Sequence, residues 1–422
     1  MIILKKKVII FKDYYLVDKI YFVPFLSSKN IDINLSLGFT IKLVNLRRKK
    51  MEYSKIDKLN VNPSLLGFGC MRFPKKEDGT IDEVEAERML DHAIESDVTY
   101  IDTAYPYHEG ESEPFVGRVL KKYKREDFYL ATKLPMFKID SLEQAKEIFE
   151  EQMKRLDVDY VDFYLLHALN KDTWKKIIDL NIIPYCEELK KQGRIKNFGF
   201  SFHDDYEVFE EIINYRDWDF CQIQLNYIDT DIQAGMKGNK LTEEKNVPLV
   251  IMEPIKGGAL ASLSDDIEQV FTDYNPNVSI SSWALRFVAS LPNVKVVLSG
   301  MSTYAQVEDN LATFKDFKPL DQDEEKLVEK VANMIKAKTK NGCTGCRYCM
   351  PCPFGIDIPG NFKLWNEYGM LGLKDTAKRR YTNLGEAQVE FCKKCGKCEK
   401  LCPQSIKIRE DLQRVVQDIK NL

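Results

Sequence analysis

Two short runs of the chain are dense in cysteine. The first is CTGCRYCMPCP, which sets Cys343, Cys346, Cys349 and Cys352 ahead of Pro353. The second is CKKCGKCEKLCP, which sets Cys392, Cys395, Cys398 and Cys402 ahead of Pro403. Three thiolates this closely spaced can each take one corner of a cubane iron–sulfur cluster, and in a two-cluster protein the fourth cysteine of each run reaches across to the other cluster. Crossed ligation would put Cys343, Cys346, Cys349 and Cys402 on one [4Fe-4S] cluster. Cys392, Cys395, Cys398 and Cys352 would hold the second. Structural zinc also uses CxxC pairs, but pairs alone would leave the third cysteine of each run hard to place.

A second set is more dispersed: Asp102, Tyr107, Lys133 and His167. Together they could reduce a carbonyl group. A free phenol titrates near pH 10, and a lysine ammonium beside it stabilises the phenolate and lowers that value. Asp102 would hold Lys133 charged and aimed. Tyr107 would then give a proton to the developing alkoxide as hydride reaches the carbonyl carbon. His167 would hydrogen-bond the carbonyl oxygen and orient it.

These four must be brought together by the elements that carry them. From Leu65 onward short apolar runs alternate with amphipathic stretches. LLGFGCM, VTYIDTA, DFYLATK, YVDFYLLH, IKNFGFS, DFCQIQLNY, VPLVIMEP and VKVVLSG read as strands. Helices are predicted at 82–96, ESEPFVGRVLKKY, 141–156 with Ser141 as N-cap, PYCEELKKQGR, 204–215, 279–290 and STYAQVEDNLATF. An eightfold strand–helix repeat is the signature of a (β/α)8 barrel, whose catalytic residues sit at the carboxyl ends of different strands. Asp102, Lys133 and His167 close three consecutive strands, and Tyr107 follows the first of them. A doubly wound open sheet is the alternative, but the glycines of GFGCM do not form a GxGxxG loop. Residues 322–340 read as a charged helix stopped by Asn341-Gly342. The expected organisation is an N-terminal extension (1–50), a barrel (51–320), a connecting helix (321–340) and an iron–sulfur region with a C-terminal helix (341–422).

The barrel segment resembles the aldo–keto reductases. The resemblance runs over about residues 60–315 and rests on GFGCMRFP, YIDTAYPYHEGESEPFVG, YLATK, FYLLH, IKNFGFS, CQIQLNY and VKVVLSGMSTYAQVEDN. It implies a catalytic tetrad of Asp102, Tyr107, Lys133 and His167, and NADH or NADPH as cofactor. Gln222 matches the residue that binds the nicotinamide amide. Ser201 matches the serine of a Ser-Asn pair, with Phe202 in place of the asparagine. The stretch from Gly300 to Asn310 matches the loop and helix that hold the adenosine end, including Ser302, Gln306, Asp309 and Asn310. Gly300 and Gln306 stand where members that prefer NADPH have a lysine and an arginine, which points to NADH or to weak dual use. The chain as a whole resembles the branch of this family with a ferredoxin-type domain behind the barrel. Its helix-like inter-run segment, NFKLWNEYGMLGLKDTAKRR, resembles the helical kind of two-cluster ferredoxin.

Composition limits the remaining readings. Net charge is -3, so nothing global points to nucleic acid. Residues 1–50 stand apart, with eleven lysines and arginines against three aspartates. They read as an extension that precedes a start at Met51 or is poorly ordered; a basic arm or membrane-surface anchor and a small packed element are the alternatives. The apolar stretch VIIFKDYYLVDKIYFVPF is broken by four charges, whereas a spanning helix needs about 20 mostly apolar residues. With no signal peptide in view and clustered cysteines, the expected location is a reducing cytoplasm.

Three functions compete. One is an oxidoreductase whose barrel chemistry exchanges electrons with the clusters and a ferredoxin-like carrier. Another is a plain NAD(P)H-dependent carbonyl reductase with structural or redox-sensing clusters. The last is a non-catalytic electron-transfer module, against which the intact tetrad argues. A nicotinamide gives two electrons as hydride and a cluster takes one, so exchange between them calls for a splitter such as a flavin. VIMEPIKGGAL and VVLSGMST, after late strands, are the loops for its phosphate. Phe73, Tyr105, Phe137 and Tyr227 offer an apolar lining for a small or aromatic carbonyl or alcohol substrate.

Overall fold

The computed structural model describes residues 50–422 and, nearer the N-terminus, the backbone of four short strands. Ile9–Phe11 pairs antiparallel with Tyr14–Leu16, and Ile31–Leu35 with Phe39–Leu43. The reading of residues 1–50 as an untranslated or poorly ordered extension otherwise falls outside the described residues. Met51–Leu422 forms a compact unit separate from Met1–Lys50.

Eight parallel strands close into a barrel. They are β1 (Leu66–Gly69), β2 (Tyr100–Asp102), β3 (Tyr129–Leu134), β4 (Val161–Leu169), β5 (Ile195–Phe202), β6 (Phe220–Gln224), β7 (Leu249–Met252) and β8 (Val294–Gly300). Each strand pairs with its neighbours in sequence and β8 returns to β1, with Gly300 opposite Gly69. Closure rules out the open doubly wound sheet.

Alternation along the strands decides what faces the barrel axis. Tyr100, Ala131, Phe163, Leu165, Phe220, Val250, Val296 and Leu298 form the buried interior cluster. Leu59 and Val61 pack against it, from a segment that folds back through the Tyr53–Ser64 and Ile56–Val61 bridges. One pleat further toward the strand C-termini, the same inward positions are Asp102, Lys133, His167, Ser201, Gln222, Met252 and Gly300. The packed interior is thus the floor of the rim on which the candidate residues stand.

Helices cover the outside: α1 (Glu83–Glu95), α2 (Ser112–Leu120), α3 (Leu142–Leu156), α4 (Lys171–Asp179), α5 (Ile182–Lys191), α6 (Tyr206–Tyr215), α7 (Gly235–Glu244), α8 (Asp265–Tyr274), α9 (Ile280–Ala289) and α10 (Tyr304–Phe314). Ser141 accepts the Gln144 N–H and starts α3. Three helices escaped the sequence reading, each for a local reason. α4 is a short polar stretch, nucleated by a capping box between Asn170 and Thr173. α7 opens on Gly235 and contains Gly238, which lowers its intrinsic propensity. α8 is strongly acidic and is held by burial of Ile267 and Phe271, with Phe271 stacked 4.9 Å from Trp283.

α11 (Gln322–Ala337) leaves the barrel behind an Asp321–Glu324 capping box and ends three residues before the expected 340. Val328, Val331 and Ile335 bury against Phe271 and Trp283, and Met370 and Leu371 pack on the same cluster. Arg286 of α9 grips Glu324 with both guanidinium nitrogens, at 2.8 and 2.5 Å. After α11 the chain is mainly helical: α12 (Ile358–Leu371), α13 (Lys374–Asn383), α14 (Lys397–Lys400) and α15 (Ile408–Lys420). Its small core joins Phe362 and Trp365 to Leu412, Val415 and Ile419, and six of the eight cysteines of the two runs pack against it. Among the described residues, no helix is long and apolar enough to cross a membrane.

Candidate active site and cysteine quartets

Register sets the heights of the rim residues. Asp102 pairs with Ala131 and Lys133 with Leu165, so Asp102, Lys133 and His167 rise stepwise around the barrel. Lys133 is fully buried, and its Nζ donates to Asp102 Oδ1 at 2.6 Å and to the Thr103 carbonyl at 2.8 Å. Tyr107 comes from the loop after β2, where the chain turns sharply through left-handed His108 and Glu109. Its hydroxyl lies 3.4 Å from Lys133 Nζ. The His167 ring meets the Tyr107 ring edge-on, with centroids 6.0 Å apart.

A buried network stands behind Lys133. Glu113 accepts from Thr132 Oγ1 at 2.6 Å and from Gln152 Nε2 at 2.8 Å. Gln152 Nε2 also donates to the Lys133 carbonyl at 3.0 Å, and Tyr164 donates to Gln152 Oε1 at 2.8 Å. Sequence reading missed this support, because a Gln and a Glu on helices facing outward strands carry no local signal.

The electrostatics correct one expectation. Burial pushes the Tyr107 phenol above its ordinary value by more than Lys133 pulls it down. Asp102, whose carboxylate also faces the phenol, opposes part of that pull. Burial also works against the Lys133 ammonium, but Asp102 and Tyr107 outweigh it and Lys133 is held charged. His167 is pushed down to about 3, first by burial and then by Lys133 and His203. The imidazole is therefore neutral at ordinary pH and can donate a single N–H.

The shift of His167 has a consequence for stability. Unfolded, the imidazole takes its proton near pH 6.5, and folded only near 3. The unfolded state binds more protons across that window, so folding stability falls as pH falls through it. His167→Asn should show a shallower loss in the upper part of the window when denaturation midpoints are compared. Parallel loss in both proteins would mean that the ring is not held neutral.

The other rim residues are placed as follows. Gln222 is buried, with Nε2 on Met252 Sδ at 3.2 Å, and its Oε1 has no partner among the described residues. Ser201 Oγ accepts the Ala168 N–H at 2.8 Å. Phe202 is core, set edge-on to Phe209. Ser302 Oγ donates to the Arg72 carbonyl at 2.8 Å, and Gln306 Oε1 accepts the Ser302 N–H at 2.7 Å. Asn310 is buried and donates to Ser299 at 2.8 Å. Asp309 accepts from Ser279 and Ser281 at 2.8 and 2.6 Å. Of the expected lining, Phe137 is exposed beside His167, and Tyr105 is fixed by Glu151. Phe73 and Tyr227 are buried in packing clusters instead.

The cysteines line two cavities. Cys343, Cys346, Cys349 and Cys402 surround one, with Ile358 and Phe362. Cys352, Cys392, Cys395 and Cys398 line the other, where Cys349 also reaches. The fourth cysteine of each run therefore stands with the other run. Among the described residues, no three His, Cys, Asp or Glu side chains converge on a point that would hold a single metal ion. A cubane is a larger body whose ligands surround a volume, and four cysteines stand around the first cavity and five around the second.

Similarity to known proteins agrees with this layout. Residues 65–333 match the profile of the aldo/keto reductase family. The chain belongs to that family. Residues 342–407 match a 4Fe-4S dicluster domain, so this aldo/keto reductase carries an iron–sulfur segment behind its barrel. It is 26% identical to the uncharacterized oxidoreductase YqkF of Bacillus subtilis, over 63% of this chain and 90% of that protein. It is 24% identical to an L-galactose dehydrogenase of Arabidopsis thaliana, over 69% and 97%. Among solved structures, an aldo-keto reductase from Bacillus halodurans in its holo form superposes with a TM-score of 0.56 at 27% identity, covering 67% of this chain and 96% of that one. The protein is an oxidoreductase of this family.

Proposed function

We propose that the enzyme interconverts a carbonyl compound and its alcohol at the Asp102, Tyr107, Lys133 and His167 rim, and that two clusters on the crossed quartets exchange electrons with a one-electron carrier. The observation that carries the first half is the buried Asp102–Lys133 pair with the Tyr107 hydroxyl beside it. A reduced nicotinamide, when bound, supplies hydride. Tyr107 gives its proton to the carbonyl oxygen, and Lys133, held charged by Asp102, stabilises the phenolate left behind. Neutral His167 donates its N–H to the same oxygen and fixes its approach. Gln222, with its carbonyl oxygen unpartnered, and Ser201 would hold the carboxamide of the nicotinamide.

Electron exchange finds support around the second quartet. Lys393, Lys394, Lys397 and Lys400 are exposed, and none of the four forms a salt bridge among the described residues. Phe391 and Leu401 are exposed beside them. A basic rim with an apolar patch suits an acidic, ferredoxin-like carrier. The reading of the clusters as structural also has an observation behind it, since most of the cysteines belong to the packing of the small helical core. Anaerobic assay of NADH and NADPH oxidation with small and aromatic aldehydes tests the barrel half. Turnover is expected, and its absence with every carbonyl and both nucleotides would defeat it.

A further inference from the structure

The positions expected to supply cations to the nucleotide are Gly300 and Gln306, which supply none. The structure brings one from elsewhere. Arg72 follows β1, and closure of the barrel makes β1 the neighbour of β8. Its side chain lies across Gly300, where an added Cβ would stand 2.6 Å from Arg72 Cγ. Its guanidinium reaches the loop after β7, 3.3 Å from where a Cβ on Gly257 would sit. Gly257 and Gly258 both have positive φ, at 65° and 101°. The loop is thus bare backbone beneath an exposed guanidinium, and Arg72 forms no salt bridge among the described residues. Lys256, the other cation nearby, is committed to Asp229 at 2.5 Å.

The loops after strands seven and eight of such barrels are where phosphate groups sit. A planar five-donor fork is well matched to phosphate oxygens. Resting on the reading that this rim takes a nicotinamide nucleotide, we infer that Arg72 is an anion-binding residue of that site and grips the pyrophosphate common to NADH and NADPH. A contact to the shared pyrophosphate strengthens both nucleotides alike, whereas a contact to the 2′-phosphate would favour NADPH alone. Sequence reading placed Arg72 inside GFGCMRFP but gave it no role, because only barrel closure carries a residue after β1 onto the loops of β7 and β8.

The test is equilibrium binding of NADH, NADPH and FMN to anaerobically prepared, cluster-loaded protein, by fluorescence or calorimetry. Arg72→Gln should weaken NADH and NADPH by about tenfold each, with a smaller salt dependence than in the unaltered protein. Arg72→Lys should recover part of the loss, and iron content and thermal midpoint should stay unchanged. Equal affinity of Arg72→Gln and the unaltered protein for both dinucleotides would overturn the assignment while leaving the nucleotide reading intact. Loss for NADPH alone, or for FMN alone, would overturn the pyrophosphate contact. Failure of the unaltered protein to bind either dinucleotide would remove the nucleotide reading itself, and Arg72 with it.

Discussion

Tyr107→Phe should lower carbonyl reduction by a factor of about 10² to 10⁴, the usual contribution of a positioned general acid. The ring is retained, so the edge-on contact with His167 at 6.0 Å survives. Only the hydroxyl beside Lys133 is removed. Folding and iron content should therefore be unaltered, which separates this loss from damage. The pH profile adds a second readout. Reduction needs the phenol protonated, and burial raises it above 10.0. The unaltered enzyme should hold its reductive rate through neutral pH and lose it only in strong alkali. That alkaline limb should vanish from the residual rate of the variant. A full reduction rate in Tyr107→Phe would exclude the phenol as proton donor.

Cys352→Ala should remove one cluster, about four irons per chain. The informative result is which cluster goes. Cys352 lines the cavity of Cys392, Cys395 and Cys398, so adding Cys395→Ala to Cys352→Ala should remove no further iron. Adding Cys346→Ala should remove the second set, since Cys346 lines the other cavity with Cys402. The reverse pattern would mean that each run holds its own cluster. Iron analysis with electron paramagnetic resonance of the reduced protein distinguishes the two.

The alternating apolar runs made the eight strands legible, because a buried strand announces itself by composition. The rim was legible for the same reason. Asp102, Lys133 and His167 are polar residues placed two beyond buried inward positions, where a core would have continued apolar. α4, α7 and α8 were not legible, since a capping box, two glycines and an acidic run say less than the tertiary burial that holds them. Arg72 and the Glu113–Gln152 support were hidden for another reason. Their roles depend on which strands become neighbours and on which helix backs which strand, and neither has a local signature. The upward shift of Tyr107 belongs here too. Residue types alone set Lys133 against the phenol, whereas the fold adds the burial that outweighs it.

The proposed function joins nicotinamide chemistry at the barrel rim to one-electron chemistry at the cysteine quartets in one redox chain. Titration of anaerobically prepared protein with NADH, followed by the visible absorption of the clusters, tests that join directly. Bleaching is expected, with a bound flavin to split the two electrons into single ones. No bleaching by NADH, in protein whose clusters dithionite still reduces, would contradict it and leave a carbonyl reductase with clusters that serve its structure or another partner.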